Sequence, residues 1–158
     1  MAEDSEPLMA WPDIAGRLEG QVHVLPVRVY YEDTDFSGVV YHAGYFRFCE
    51  RGRSDFLRLS GIDHHELHNA AKGAEKLAFA VTRIEADFVG AARIDDLLEV
   101  RTRYSALTAA RILIEQEVFR LDEALFRAHV TVVLLNQAGR PRRIGGILAK
   151  RLGGFLPD

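Results

Sequence analysis

From Val24 to Tyr31 the chain carries Val24, Val27, Val29, Tyr30 and Tyr31, β-favouring side chains that predict a strand. Pro26 limits backbone pairing near its front. At Glu32 the pattern breaks into acids, a hydroxyl and a glycine, and at His42 a new period begins. Tyr45, Phe48, Cys49, Gly52, Phe56 and Leu59 recur at the i, i+3, i+4, i+7 spacing of one helical face, with Arg47, Arg51, Asp55 and Arg58 on the other side. Gly52, in mid-helix, costs about 1 kcal/mol relative to alanine. That cost predicts close approach to something flat, most simply a sheet. Ser60-Gly61 ends the helix.

Residues 62–74 read as a polar connection with room for one helical turn. Four β-type runs follow: Leu77 to Val89, Leu97 to Ala106, Arg111 to Leu121 and Leu125 to Leu135. The third alternates, with Ile112, Ile114, Gln116 and Val118 on one face and Leu113, Glu115, Glu117 and Phe119 on the other. The last is apolar on both faces and is expected to be central. One strand, a long helix and four strands with short connections predict an α+β architecture, an antiparallel sheet with one helix against it. Residues 1–22 read as a polar leader in which Trp11-Pro12-Asp13 opens a short helix through Leu18, weakened by Gly16 and Gly20. Residues 23–158 read as a single domain ending in a basic tail.

Composition narrows the function. At 158 residues and 48% hydrophobic, the chain suits one globular domain with a real core. A net charge of −3 argues against a nucleic-acid binder. A single cysteine, Cys49, excludes an internal disulfide and suits a reducing compartment. Met1 to Pro7 is acidic and lacks the features of a secretion signal, and no apolar run approaches the roughly 20 residues needed to span a bilayer. The expectation is a cytoplasmic protein with at most peripheral membrane association.

The candidate chemistry lies between strand and helix. Asp35 sits at that junction, where a carboxylate can serve as nucleophile or as general base on water. The alternative is that Asp33, Thr34 or Asp35 merely caps the helix. The backbone N–H of His42, at the helix start, can donate to an acyl oxygen, and its imidazole can orient or protonate a group; a local structural hydrogen bond is the competing use. Gly38 supplies positive φ or close backbone approach to a ligand. The Asp63-His64-His65-Glu66-Leu67-His68 cluster lacks zinc-protease spacing and a completing ligand pair, so it predicts no metal site. Cys49, on the apolar face, reads as a buried thiol. From Asn136 to Pro157 there is no acid, while Arg140, Arg142, Arg143, Lys150 and Arg151 supply local positive charge. That stretch is either a solvated tail or a receiver for phosphates, an acidic carrier protein or an anionic membrane.

The stretch from Arg28 to His42, with Tyr45, Cys49-Glu50-Arg51-Gly52-Arg53 and Ala91-Ala92-Arg93-Ile94-Asp95-Asp96, resembles the hotdog-fold acyl-CoA thioesterases. More narrowly it resembles the Tol-Pal-associated branch related to 4-hydroxybenzoyl-CoA thioesterase, colinearly over about residues 24–148. The resemblance implies a five-stranded antiparallel sheet wrapped around a long central helix. It also implies a homodimer or homotetramer joined sheet edge to sheet edge, with active sites between protomers. It makes Asp35 catalytic and gives His42 the associated site position, its N–H polarising the thioester carbonyl of an acyl-CoA. Tyr41, Tyr45 and Phe48, with Gly38, then lie near the acyl group, and Arg140, Arg142 or Arg143 can reach the CoA phosphates, from a neighbouring subunit if need be. No cofactor is implied. The sequence departs from the family pattern at Ala91, where proline is common, at Cys49, where an aromatic is, and at Gly52, where alanine is. Two other readings remain open at this stage: a hotdog dehydratase, and a non-catalytic module binding an acyl carrier protein or a membrane assembly.

Overall fold

The computed structural model describes residues 16–68 and 74–158. Strands β1 (Arg17–Glu19) and β2 (Val22–Arg28) lead through a single 3-10 turn at Tyr31–Asp33 into helix α1 (His42–Leu59) and the short α2 (His64–His68). Strands β3 (Leu77–Phe88), β4 (Leu97–Leu107), β5 (Ile112–Arg120), β6 (Glu123–Asn136) and β7 (Pro141–Arg142) follow, then helix α3 (Gly146–Gly153). Every strand pair is antiparallel, and the sheet runs β1-β2-β4-β5-β6-β3 with β7 also on β6. Five long strands match the expected core of the sheet, but the count is seven. The chain turns back at Gly20 (φ +64°) to add β1 to β2. β7 pairs with Leu134 and Leu135 of β6, beyond Val132, where the pairing with β5 stops.

The alternation in β5 places Ile112, Ile114, Gln116 and Val118 in the core. β6 is an interior strand, as its apolar character predicts, with Phe126, Ala128, Val130, Val132 and Leu134 buried. α1 lies across β2, β4 and β5. At Gly52 an added Cβ would stand 3.0 Å from both Thr102 Oγ1 and Val100 Cγ1, so this turn of the helix touches the sheet and has no room for a side chain. Gln116, the polar residue on the buried face, is satisfied there: its Nε2 donates to the Cys49 carbonyl and to Thr102 Oγ1, both at 2.8 Å, and its Oε1 accepts from Arg53 at 2.7 Å. Cys49 is buried among these groups, and burial pushes its thiol up to about 12.

Four sequence expectations need correction. Asp55 is buried rather than solvent-facing, because His23, fully buried on β2, donates from Nε2 to its Oδ2 at 2.6 Å and the Gly16 N–H donates to the same oxygen at 2.8 Å. Leu59, expected inside, is 39% exposed at the helix end. Arg17 and Leu18 form strand, not helix, since they continue the β2 ladder; residues 11–15 of that expected helix lie outside the described residues. The C-terminal stretch is not a solvated tail: Leu152 of α3 is buried and Phe155 packs edge-on to Phe56, 5.2 Å between centroids. Among the described residues no helix is long and apolar enough to cross a membrane.

Candidate active site

The segment between β2 and α1 folds into a compact platform because its backbone is paired at both ends. Val29 exchanges hydrogen bonds with the loop after β3, donating to Asp96 O and accepting from Asp95 N, each at 2.9 Å. At the other end the Val40 N–H donates to Ala92 O at 2.8 Å and Val39 bridges Arg93. Between them Asp35 opens a tight turn: Asp35 N donates to Val39 O at 2.9 Å and Gly38 N to Asp35 O at 3.0 Å. Gly38 sits at φ +81° with open space around its Cα, so the turn's left-handed backbone, not crowding, selects glycine.

Asp35 is exposed at the tip of this turn. Its Oδ1 accepts from the Ser37 N–H at 2.8 Å and from the Ser37 hydroxyl, an Asx turn. The Ser37 hydroxyl first, then the Ser37 N–H, hold the carboxyl below its ordinary value, with a smaller electrostatic contribution from His42. Among the described residues no protein donor occupies Oδ2, so an ionised oxygen faces outward. Asp35 does not cap α1. The N-cap is Tyr41, which makes no side-chain capping bond, and Asp33 instead accepts from the Tyr30 N–H at 2.8 Å. Helix α1 therefore opens with its positive dipole end uncapped and the His42 N–H without an acceptor among the described residues.

The remaining expected residues separate. The exposed His42 ring stands 4.3 Å from Tyr41, itself 49% exposed, and 6.3 Å from Phe88, 51% exposed. Tyr45 and Phe48, expected near the acyl group, are core residues of the protomer. Phe48 has no exposed surface, and Tyr45 stacks on Phe126 at 5.1 Å with its hydroxyl bonded to the 90–92 loop. Their place on the helix face that meets the sheet accounts for the correction.

The C-terminal arginines lie at the other end of the sheet. Arg142 pairs with Leu134 of β6, whereas Phe88, beside His42, pairs with Phe126. Eight strand residues at about 3.3 Å each separate the two by roughly 26 Å. Arg142 also donates to Glu75 at 2.7 Å, and Arg140 and Arg143 are exposed. Within one protomer these cations do not meet Asp35. Among the described residues no group of three His, Cys, Asp or Glu side chains is placed to hold a metal ion.

Sequence reasoning missed three contributors: Ser37, Phe88 and the Ala92 loop. The Asp35-x-Ser37 spacing was a readable Asx-turn signal. Phe88 and Ala92 reach the site only through tertiary pairing, which no local pattern announces.

A long helix packed against one antiparallel sheet is the hotdog architecture. Residues 29–150 match the Thioesterase-like superfamily; the chain belongs to it and is a thioester hydrolase. It is 39% identical over 112 residues to the acyl-CoA thioester hydrolase YbgC of Escherichia coli, covering 70% of this chain and 80% of that one. To the acyl-CoA thioesterase YbgC of Haemophilus influenzae it is 43% identical over 111 residues, covering 70% and 79%. The crystal structure of a probable thioesterase from Bartonella henselae superposes with a TM-score of 0.75 at 46% identity, over 78% of this chain and 99% of that one.

Proposed function

We propose that the protein hydrolyses acyl-CoA thioesters to free acid and CoA, with Asp35 as the catalytic carboxylate and the His42 N–H as the oxyanion donor. The observation that carries this is the pairing of an ionised, outward-facing Asp35 Oδ2 with a helix start that no side chain caps. The thioester oxygen accepts from the His42 N–H, where the helix dipole stabilises the charge that develops on it. Asp35 then either attacks the carbonyl carbon, expelling CoA thiolate and leaving an anhydride for water to cleave, or takes a proton from an attacking water. Both routes require the carboxylate form. Tyr41 and Phe88 flank the acyl group, and Gly38 keeps the turn open. The acyl-CoA names of the YbgC relatives support this substrate class.

The site is completed by a second protomer. β3 is a 12-residue edge strand whose outer side has no partner among the described residues, and it exposes Val81, Ile84 and Phe88. Such an edge invites pairing. Two-fold antiparallel pairing through β3 sets the Phe88 end of one protomer against the Leu77 end of the other. That carries the partner's Arg140, Arg142 and Arg143 toward this protomer's Asp35 and CoA. The Arg142–Glu75 pair is exposed and readily exchanged for a phosphate. We place the enzyme in the cytoplasm, consistent with its single reduced, buried cysteine.

The test is free-thiol release from short, medium, long and aromatic acyl-CoAs. Hydrolysis of at least one chain class supports the reading; folded protein that releases no thiol from any of them defeats it.

A further inference from the structure

The Tyr45 hydroxyl closes a circuit of hydrogen bonds that the chemistry just described does not use. Tyr45 stands one turn into α1, three residues after His42. Its hydroxyl accepts the Ala92 N–H at 3.1 Å and faces the Gly90 carbonyl at 3.4 Å. On its other side, Ala92 accepts the Val40 N–H through its carbonyl at 2.8 Å, and Val40 is two residues before His42. The circuit therefore leaves the helix at Tyr45, crosses Ala92 and re-enters the chain just before the helix begins. Val39, beside Val40, accepts the Asp35 N–H at 2.9 Å, so the carboxylate turn hangs from the same point.

Each link is sheltered from water: Tyr45 is 3% exposed, Val40 4% and Ala92 0%. The ring cannot swing away, because it stacks on Phe126 at 8° between planes. The 90–92 loop has other ties, Arg120 to Ala91 O at 3.2 Å and the Gly90 N–H to Leu125 O at 3.0 Å, but only Tyr45 joins it to α1 through a hydrogen bond among the described residues.

Resting on the proposed roles of Asp35 and His42, we propose that Tyr45 is a positioning residue: its hydroxyl, through Ala92 and Val40, sets the aim of the His42 N–H relative to the Asp35 carboxylate. Removing that hydroxyl leaves the Ala92 N–H buried without an acceptor, and the loop shifts to relieve it. Displacements of about 1 Å at reacting groups cost on the order of a hundredfold in rate.

The experiment compares wild type with Tyr45→Phe, which keeps the ring and its stack, and with Ile112→Ala, a truncation in the core at the far end of β5. Tyr45→Phe is expected to lower kcat about 10- to 100-fold with KM within about threefold, and to speed amide exchange at Val40 and Ala92. Ile112→Ala is expected to lower Tm while leaving kcat near wild type. Tyr45→Phe with wild-type kcat, or with unchanged exchange at both amides, overturns the proposal. So does an equal loss of kcat in the two variants, which would mark Tyr45 as packing alone. Asp35→Asn run alongside separates the failures: an active Asp35→Asn defeats the underlying site, whereas an inactive Asp35→Asn with a fully active Tyr45→Phe defeats only the role of Tyr45.

Discussion

At Asp35 the structure turns a sequence ambiguity into a geometric difference. Residue type alone left catalysis and helix capping both open, because a carboxylate near a helix start suits either. The turn decides which atoms are spent: Oδ1 on Ser37, nothing from Asp35 on α1. Because the Ser37 hydroxyl is the largest influence holding Asp35 below its ordinary 3.8, its loss raises that pKa. The carboxylate persists above its pKa, so turnover falls as pH drops through it. Ser37→Ala is therefore expected to shift the acidic limb of kcat/KM to higher pH, measured on a substrate that does not itself titrate there. An acidic limb that stays in place would show that another group titrates. Gly38 was legible as a turn residue from its type. That it serves positive φ and not contact with a neighbour was not, since only the folded turn shows the space around it.

Among the elements, α1 was the most legible, because its period directly records which side meets the sheet. The two errors on it, Asp55 and Leu59, share a cause. A residue at the edge of the helical stripe goes in or out according to its partner, and His23 on β2 is 32 residues away in sequence. This pair makes the β2–α1 junction sensitive to acid. Burial lowers the His23 pKa below 6.5, partly offset by Asp55, so the folded state binds its proton more weakly than the unfolded chain does. For Asp55, burial acts to raise the pKa, but hydrogen bonds from His23, Gly16 and Arg58 outweigh it and hold it below 3.8. In both cases the unfolded chain takes up protons first on acidification, so stability falls with pH, first below about 6.5 and again below about 4. His23→Phe is expected to flatten the Tm–pH curve between pH 7 and 5; an unchanged slope would assign that dependence elsewhere. At Gly52 the sheet contact at 3.0 Å predicts that Gly52→Leu costs about 1–3 kcal/mol by overpacking, read from denaturant unfolding.

For the whole molecule, the succession of elements and the α+β layering followed from periodicity and turn spacing, while the order of strands in the sheet, β1, β7 and the packed α3 did not. These pieces are short: β1 and β7, three and two residues long, fold back locally on β2 and β6, and only α3 is held by neighbours distant in sequence, with Leu152 in the core and Phe155 packed on Phe56. The separation of Arg140, Arg142 and Arg143 from Asp35 is a property of this same scale, and under the proposed function only a partner subunit brings these cations to the site. Ile84→Lys, on the exposed face of β3, is expected to shift the protein to monomer in analytical ultracentrifugation and to raise KM for CoA substrates far more than it lowers Tm. A monomer with wild-type KM would remove the partner's arginines from the account. The central claim is that Asp35 carries the hydrolysis, and it is tested most directly by measuring thiol release by wild type and Asp35→Asn on the same acyl-CoA, with Tm recorded for both. The account predicts loss of turnover by about three orders of magnitude or more in Asp35→Asn with Tm essentially unchanged. Near-normal turnover in a folded Asp35→Asn would contradict it.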